Sequence, residues 1–246
     1  RQLSIEQPEI EFDMNPNLFS FTNKTFDLMT GKEIIPRRED YQSMNCGYNY
    51  EESTEEERAF VEKYIFNTIF VDEEVRAYYK KILATGLFGK VPQKFVMANG
   101  SGGNGKGQLH GLMLSTVGNY GSKGNADMFL NEKVRGGNPE LENLHKKRFA
   151  CFDEPATGKK INTAFMKELT GGEEMCARAL YSNDTKVILH LTPFLESNEE
   201  IFLGGSKIGQ AELRRILKVE FASEFLGPGA YDLALKAGRK NVFPIK

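Results

Sequence analysis

The sequence KFVMANGSGGNGKGQLHGLMLSTVG, residues 94–118, decides the fold class of this chain. Its first six residues form a short apolar run of the kind found in buried strands. A glycine-rich segment follows, and the apolar residues after it return at helical spacing as far as Gly118. We therefore predict a strand, a loop and a helix in succession, an order that is typical of α/β proteins.

The glycine-rich segment matches the first seven positions of the phosphate-binding loop G-x-x-x-x-G-K-[S/T], from Gly100 to Lys106. Backbone N–H groups of such a loop curl around a phosphate, and the positive end of the next helix attracts the anion. Lys106 would neutralise the β- and γ-phosphates of a nucleotide. The alternative is a glycine-rich surface turn before a helix. The predicted nucleotide-binding residues are Gly100, Ser101, Gly102, Gly103, Asn104, Gly105, Lys106, Gly107 and Gln108.

The eighth position of the motif departs from the pattern. Gly107 stands where Ser or Thr would offer a hydroxyl to Mg²⁺. A water can take that place, since Mg²⁺ keeps several waters in proteins. We therefore expect weaker metal affinity with retained nucleotide binding, and the alternative is loss of hydrolysis.

An acidic pair follows the apolar run RFACF, residues 148–152. In P-loop ATPases a metal-holding Asp and a catalytic Glu end a strand at this distance from the loop. Asp153 would hold Mg²⁺, and Glu154 would polarise the attacking water as a general base. Alone, such a pair is more often a loop or a helix cap. The phosphate loop upstream favours the catalytic interpretation, with ATP and Mg²⁺ as cofactors.

Composition excludes several classes of protein. Of the 246 residues, 40% are hydrophobic and 27% are charged, which is typical of a globular protein. No apolar run reaches the ~18 residues of a membrane span, so we expect an intracellular protein without a membrane partner. Three cysteines without C-x-x-C spacing argue against a disulfide framework or a zinc site, and three histidines argue against a His-based metal centre.

The net charge of −2 conceals an uneven distribution. Residues 1–90 hold 17 acidic and 11 basic residues, a balance of −6, whereas residues 91–246 hold 17 and 21, a balance of +4. An anion would bind in the basic part. The asymmetry permits nucleic-acid binding but does not demonstrate it.

Strands and helices alternate on both sides of the phosphate loop. Upstream, short strands and loops precede a helix over 55–66, which begins with the capping box Thr54-x-x-Glu57. A second helix starts after Asp72 and stops at Gly86. Downstream, PELENLHKK and FMKELTGG predict helices, TPFLESN predicts a strand, and RALYSNDTKVILHL predicts a hairpin. The alternation predicts an α/β fold with a largely parallel sheet, preceded by a small helical region.

Together these segments resemble superfamily 3 helicases, in particular the helicase part of the poxvirus-type primase-helicases of large DNA viruses and the related phage primase-helicases. The match covers most of the chain, and MKELTGGEEMCARALY is its most family-specific part. The other matching segments are FTNKTFDLMTG, DYQSMNCGYNY, GSGGNGKG, RFACFDEP, LESN and LRRILKVEF. The resemblance implies an AAA+-like P-loop NTPase core.

The resemblance also implies roles for residues outside the phosphate loop. Asn198 is similar to the sensor that touches the γ-phosphate or its water. Arg215, with its neighbour Arg214, looks like the arginine finger that a subunit inserts into the next subunit's site. Lys167 resembles a basic residue that reaches the phosphates across the subunit interface. The alternatives are surface roles for the two arginines and an exposed helix position for Lys167. The family's N-x-x-P pattern is broken at Ile201.

The hairpin after MKELTGGE resembles the element that contacts DNA in the central channel of these helicases. Arg178 and Lys186 would pair with phosphates, and Tyr181 would stack on a base or pack beneath the hairpin. The implied partners are single-stranded DNA and further copies of this chain in a ring, a hexamer by analogy. A primase segment of the same full-length protein is a further expected partner, and a viral source would place the protein in host cytoplasm or nucleus.

We divide the chain into four parts. Residues 1–50 are an N-terminal strand and loop segment, 51–90 a helical, collar-like oligomerisation region, 91–226 the ATPase domain, and 227–246 the C-terminal tail of a truncated chain. The predicted function is an ATP-dependent DNA helicase motor of viral replication. The alternatives are an oligomeric P-loop ATPase that remodels or assembles something other than DNA, and a nucleotide-binding structural module with weakened catalysis.

Overall fold

The structure is a computed structural model that describes residues 10–130, 139–156, 158–177, 185–204 and 208–245. Three short strands lie near its start: β1 (Leu18–Ser20), β2 (Thr25–Asp27) and β3 (Lys32–Ile34). They form an antiparallel sheet in that order and are followed by a 3-10 turn, Arg38–Asp40. Short strands and loops were predicted here.

The helical region begins at the predicted capping box. The Thr54 hydroxyl accepts a hydrogen bond from the Glu57 N–H (3.2 Å), and the Glu57 carboxylate accepts one from the Thr54 N–H (2.8 Å). The helix that follows comprises α1 (Glu55–Val61), a π-helical stretch (Glu62–Phe66) and α2 (Asn67–Ile69). It therefore extends one turn beyond the predicted end at residue 66.

Helix α3 (Glu73–Thr85) is confirmed with its predicted start and end. The Asp72 carboxylate accepts the N–H groups of Glu74 and Val75, at 2.8 and 3.0 Å, and Gly86 ends the helix. The two hydrogen bonds to the Asp72 carboxylate satisfy backbone N–H groups of the first turn that have no partner within the helix. Tyr79 and Leu83 on this helix are buried against the sheet.

The rest of the chain alternates strands and helices, as the sequence predicts. In chain order the elements are β4 (Phe95–Asn99), α4 (Lys106–Val117), β5 (Gly121–Gly124), α5 (Pro139–Asn143), β6 (Phe149–Phe152), β7 (Lys160–Asn162), α6 (Thr163–Leu169), β8 (Glu174–Ala177), β9 (Thr185–Ile188), β10 (Thr192–Ser197), β11 (Phe202–Gly204), α7 (Gln210–Leu213), β12 (Ile216–Glu220), β13 (Glu224–Leu226), α8 (Pro228–Lys236) and β14 (Val242–Pro244), with 3-10 turns at Gly118–Tyr120 and Ala126–Phe129.

Five of these strands form the central sheet, in the order β12–β4–β10–β6–β5. Every neighbouring pair is parallel, so all five carboxyl ends lie at one edge. Alternate residues of a strand face opposite sides of a sheet. In β4, Val96 and Ala98 pack on the side of α3 and α4, whereas Phe95 and Met97 pack on the side of α6. The α/β class with a largely parallel sheet is confirmed.

The last twenty residues, which the sequence predicts to be a tail, contain a helix and a strand. Helix α8 begins with Pro228 in its first turn, a favoured position for proline. Strand β14 then pairs in parallel with β13. The expected boundary at residue 226 therefore cuts a strand–helix–strand unit that the short, glycine-rich sequence does not reveal. None of the helices in the described ranges is long and apolar enough to cross a membrane.

Candidate nucleotide site

The phosphate-binding loop connects β4 to α4 at the carboxyl edge of the central sheet. Gly100, Gly103 and Gly105 have φ values of 151°, 76° and 83°, in the region that favours glycine. A Cβ on Gly100 would lie 2.5 Å from the carbonyl oxygen of Phe221, which is too close for any side chain. The loop therefore needs glycine at this position for steric reasons.

Asn104 is the buried member of the loop, whereas Ser101, Gly102 and Gly103 are exposed to solvent. The Asn104 amide donates to the carbonyl of Phe221 (3.4 Å), and its side-chain oxygen accepts the N–H of Lys106 (3.3 Å). These contacts hold the loop against the chain that follows β12. Asn104 is thus placed to support the loop, while its neighbours face outward.

Lys106 begins α4 and its side chain lies across the loop. Its ammonium donates to the carbonyl oxygen of Gly100 (2.9 Å) and to the side-chain oxygen of Asn198. Burial lowers the pKa of Lys106, and the negative charges of Glu196 and Glu154 oppose that shift. The ammonium therefore lies at the sheet edge with only neutral oxygens as direct partners among the described residues.

Glu154 and Asn198 contact each other through two hydrogen bonds. The backbone N–H of Asn198 donates to Oε1 of Glu154 (2.7 Å), and its side-chain amide donates to Oε2 (2.6 Å). Since Asn198 also accepts from Lys106, it bridges the predicted base and the predicted phosphate-binding lysine. The structure thus brings these three residues together, although they are up to 92 positions apart.

Asp153 lies beside Glu154 and forms an ion pair with Lys123 of β5, at 2.9 Å. Both side chains are largely exposed, with 60% and 62% of their surface accessible. The hydrogen bond to Asp153, together with its charge, raises the pKa of Lys123. Lys123 cannot be recognised from the sequence, because nothing in the short run GSKG indicates which strand it would lie beside.

Arg214 and Arg215 lie at the opposite edge of the sheet from the loop. The carbonyl oxygen of Arg215 accepts a hydrogen bond from the N–H of Phe95, the first residue of β4, at 2.7 Å. The five residues of β4 rise about 3.3 Å each, so roughly 16 Å separate this end from the phosphate loop. Neither arginine is brought to the loop of its own subunit. The Arg215 guanidinium donates to the carbonyl of Ala211 (2.9 Å), and its buried Nε has no hydrogen-bond partner within the described part of the chain.

Lys167 of α6 forms an ion pair with Glu212 of α7, at 2.7 Å. The hydrogen bond from Lys167 lowers the pKa of Glu212, and the backbone N–H groups of Glu212 and Gly209 add to that shift. Because α7 directly precedes Arg215, the two residues that the resemblance assigns to a neighbouring subunit's site lie in one region. The structure does not bring Lys167 to the phosphate loop of its own subunit.

The predicted hairpin is present as the antiparallel pair β8–β9, in which Cys176 lies opposite Lys186. Arg178, Tyr181 and the side chain of Lys186 lie outside the described residues. Their predicted roles in DNA binding therefore stay predictions.

Directly behind the phosphate loop lies a buried polar cluster that the sequence analysis did not anticipate. Its four members come from α3, α4, β6 and β10: they are Tyr79, His110, Cys151 and Glu196. Oε1 of Glu196 lies 2.7 Å from Nδ1 of His110 and 3.1 Å from the thiol of Cys151. The Tyr79 hydroxyl lies 2.5 Å from Nε2 of His110. We name these residues the Glu196 cluster.

Burial and hydrogen bonds together set the pKa values in this cluster. It raises the pKa of the Tyr79 hydroxyl and of the Cys151 thiol, so both groups keep their protons and act as donors. Burial would also raise the pKa of Glu196, but the hydrogen bonds from His110 and Cys151 outweigh it and lower the pKa. Glu196 is therefore an anion whose Oε1 accepts two hydrogen bonds.

The ligand-type atoms of His110, Cys151 and Glu196 lie within 4.8 Å of one another. The small number of histidines and the cysteine spacing had argued against such a grouping. The available sequence signal was a Glu inside the apolar strand FLES and a His inside the apolar helix run LHGLML. Polar residues in buried runs require polar partners, but they do not indicate which ones.

Known proteins provide independent evidence. The chain is 32% identical over 218 residues to "Putative helicase L207/L206" of Acanthamoeba polyphaga mimivirus, a match that covers 87% of this chain and 22% of that protein. It is 28% identical over 214 residues to "Putative helicase 022R" of Frog virus 3 (isolate Goorha), covering 84% and 21%. It is 28% identical over 233 residues to "Primase D5" of Fowlpox virus (strain NVSL), covering 88% and 28%.

This chain is a homologue of viral helicase and primase proteins. The resemblance inferred from the motifs is thereby confirmed. The chain spans less than a third of the length of each of these relatives. No family model matches it.

Among solved structures, the A form of the apo NrS-1 C-terminal region superposes with a TM-score of 0.51. The sequences are 18% identical, and the match covers 72% of this chain and 42% of that one. At this identity the similarity concerns the fold alone, and it agrees with the P-loop α/β core described above.

Proposed function

We propose that this chain is the ATP-hydrolysing motor of a DNA helicase of viral replication. The observation that carries the proposal is the contact of Lys106 and Glu154 with a single residue, Asn198, beside a phosphate-binding loop. The three side chains come from the loop after β4 and from the ends of β6 and β10. Homology to viral helicases and primases supports a motor of this class.

The phosphate loop would bind the nucleotide through its backbone. The glycine-rich segment leads into the N-terminus of the twelve-residue helix α4 at this edge of the sheet, and the N–H groups at a helix N-terminus attract an anion. Lys106 would exchange the neutral oxygens of Gly100 and Asn198 for the β- and γ-phosphates. The present acceptors are neutral, whereas phosphate oxygens carry negative charge, so the exchange adds attraction between opposite charges and is favourable.

The residues at this edge fit Mg²⁺, which prefers oxygen ligands and binds through one or two carboxylates plus phosphates. Asp153 offers an exposed carboxylate whose partner, Lys123, is also exposed and can be displaced. When bound, the metal would neutralise charge on the phosphates. Asp153 holds it in this proposal, as the sequence predicts.

Glu154 would take the proton from the attacking water. Its two hydrogen bonds from Asn198 fix the plane of the carboxylate, and Asn198 also contacts Lys106. A shift of Lys106 toward a γ-phosphate would therefore change its hydrogen bond to Asn198, and through Asn198 it would change the position of the Glu154 carboxylate. This chain of contacts is the geometric reason for assigning a sensor role to Asn198.

The site would be completed by a second copy of the chain. Arg215 lies roughly 16 Å from its own phosphate loop, by the rise of β4, which suits a residue that acts on a neighbour. Arg214 and Lys167 belong to the same region. In this proposal an arginine finger and Lys167 from one subunit reach the phosphates of the next in a ring, a hexamer by analogy with the family.

Single-stranded DNA would pass through the centre of that ring and contact the β8–β9 hairpin. Arg178, Tyr181 and Lys186 are the proposed contacts. A primase segment of the same full-length protein is a further proposed partner, in keeping with the name of the fowlpox relative.

The test is ATP turnover by the purified chain with and without single-stranded DNA, together with strand separation of a forked duplex. We expect DNA to stimulate turnover and the double variant Arg178→Ala, Lys186→Ala to lose that stimulation while keeping its basal rate. Turnover that ignores DNA in the assembled ring would favour a P-loop ATPase acting on another substrate. Nucleotide binding without any turnover would favour a structural nucleotide-binding module.

A further inference from the structure

Gly107 and Glu196 face each other at the first turn of α4. A Cβ built on Gly107 would lie 3.5 Å from Oε2 of Glu196, an ordinary van der Waals contact, and no nearer atom would meet it. In the phosphate-loop motif this position carries the Ser or Thr whose hydroxyl binds Mg²⁺. The carboxylate of Glu196 therefore lies beside the space that the missing hydroxyl would occupy.

The two oxygens of Glu196 have different surroundings. Oε1 accepts from the His110 ring (2.7 Å) and from the Cys151 thiol (3.1 Å). Oε2 has no hydrogen-bond partner among the described residues. The Tyr79 hydroxyl fixes the other nitrogen of the His110 ring, so the cluster holds the carboxylate with Oε2 toward Gly107.

Glu196 also lies close to the predicted metal ligand Asp153. Strand β10 lies between β4 and β6, and Leu195 is paired with Phe152, so Glu196 is level with Asp153. The contact between Glu196 and Cys151 puts both on one face of the sheet, and Asp153, two residues beyond Cys151, continues on that face. Two carboxylates that end or follow adjacent strands thus lie at this edge of the sheet, and that of Glu196 borders the start of α4.

We propose that Oε2 of Glu196 replaces the missing Ser or Thr hydroxyl as the second protein ligand, beside Asp153, of the Mg²⁺ that accompanies the nucleotide. This inference rests on the proposed nucleotide site. In this proposal Gly107 does not weaken the metal site, because a carboxylate is a charged oxygen ligand that Mg²⁺ binds in proteins. Gly107 then has a positive role, since its missing side chain leaves the approach to Oε2 open.

The replacement has a consequence that a hydroxyl would not have. A carboxylate beside the phosphates repels a metal-free nucleotide and attracts one that carries Mg²⁺. Nucleotide binding by this chain should therefore depend strongly on the metal. Removing the charge of Glu196 should move the metal-dependent and metal-free affinities in opposite directions.

The test variant is Glu196→Gln, which preserves the shape of the side chain. The His110 ring and the Cys151 thiol both need an acceptor, so the Gln oxygen would stay with them and its NH₂ group would face Gly107, where it cannot bind a metal. The measurement is binding of a fluorescent, slowly hydrolysed ATP analogue, titrated with MgCl₂ and repeated in EDTA. Glu220→Gln, an exposed carboxylate at the end of β12, is the control for loss of one negative charge at this edge.

We expect Glu196→Gln to raise the Mg²⁺ concentration for half-maximal nucleotide binding at least tenfold, about the loss seen when groups supporting a metal site are removed. Its affinity for the analogue in EDTA should exceed that of the wild type. Glu220→Gln should match the wild type both with MgCl₂ and in EDTA. The double variant Gly107→Ser, Glu196→Gln should need less Mg²⁺ for half-maximal binding than Glu196→Gln does, since it restores the usual hydroxyl. Gly107→Ser alone should lower the Mg²⁺ concentration for half-maximal binding only slightly, because Glu196 already supplies a ligand in the wild type.

An unchanged Mg²⁺ dependence in Glu196→Gln, with an increased requirement in Asp153→Asn, would overturn this proposal and leave the nucleotide site intact. Equal loss of binding by Glu196→Gln with Mg²⁺ and in EDTA would also overturn it, because that result indicates a purely structural role for the cluster. A wild-type chain that binds no nucleotide in either condition would overturn the proposed function itself.

Discussion

The main-chain and side-chain amides of Asn198 donate to the two oxygens of Glu154, at 2.7 and 2.6 Å, so one residue fixes both the position and the plane of the proposed base. The same side chain accepts from Lys106. The proposed binding of a phosphate by Lys106 and the proposed activation of water by Glu154 are therefore connected through one residue, Asn198. The first two predictions separate these functions.

Lys106→Ala should weaken ATP binding and lower turnover roughly a hundredfold or more, a loss typical of removing one group that stabilises transition-state charge. No other basic residue lies in the loop to meet the β- and γ-phosphates. Binding is measured with a fluorescent ATP analogue and turnover by phosphate release. Lys236→Ala on the exposed surface of α8 is the control. Wild-type turnover by Lys106→Ala would show that the nucleotide binds elsewhere.

Glu154→Gln should keep ATP binding and lose turnover by about 10²–10⁴-fold, the contribution of a general base. The amide retains the shape of the carboxylate and one acceptor for Asn198 but cannot take a proton. The variant should accumulate bound, unhydrolysed ATP, which is measured by filtration with radiolabelled nucleotide. A loss of ATP binding equal to that of Lys106→Ala would show that Glu154 supports the loop instead of the water.

Arg215→Ala should bind ATP normally and hydrolyse it roughly 10³-fold more slowly, as expected for the loss of an arginine finger. The start of β12 lies at the far edge of the sheet from its own phosphate loop, so this effect requires a neighbouring subunit. The control is Arg38→Ala, which removes an exposed arginine from the N-terminal segment.

Mixing Arg215→Ala with Lys106→Ala subunits tests that requirement directly. Each variant keeps the half-site that the other lacks, so some interfaces in a mixed ring combine an intact Lys106 with an intact Arg215. We expect partial ATPase activity to return as the ratio of the two variants is varied. Mixed rings that stay inactive at every ratio would assign Arg215 a structural role.

Cys151 should react slowly with iodoacetamide in the folded protein at neutral pH. Burial is the main cause that raises the pKa of its thiol, and the negative charge of Glu196 adds to it. A raised pKa means less thiolate at any given pH, and the thiolate is the species that reacts. Peptide mapping by mass spectrometry reports this cysteine separately, and unfolding in urea should bring its rate to that of a free thiol. Rapid labelling without urea would show that the Glu196 cluster is open to solvent.

The sequence by itself determined the features that depend on local spacing. The strand, glycine loop and helix from Lys94 to Gly118 were predictable because strand and helix periodicities differ and because φ values near +80° favour glycine. The capping box at Thr54 was predictable because both its hydrogen bonds join residues three positions apart. The position of the acidic pair directly after β6 was predictable because the apolar run RFACF indicates a strand and the two residues follow it in the chain.

Tertiary structure alone decided which distant residues meet at that edge. Glu196 reaches Gly107, His110 and Cys151 only because β10 lies between β4 and β6, and strand order is not encoded in any local pattern. Lys123 meets Asp153 for the same reason. A carboxylate can stand in for a hydroxyl 89 positions earlier only when folding brings the two places within a few ångströms, since hydrogen bonds and metal ligation both act over such short distances.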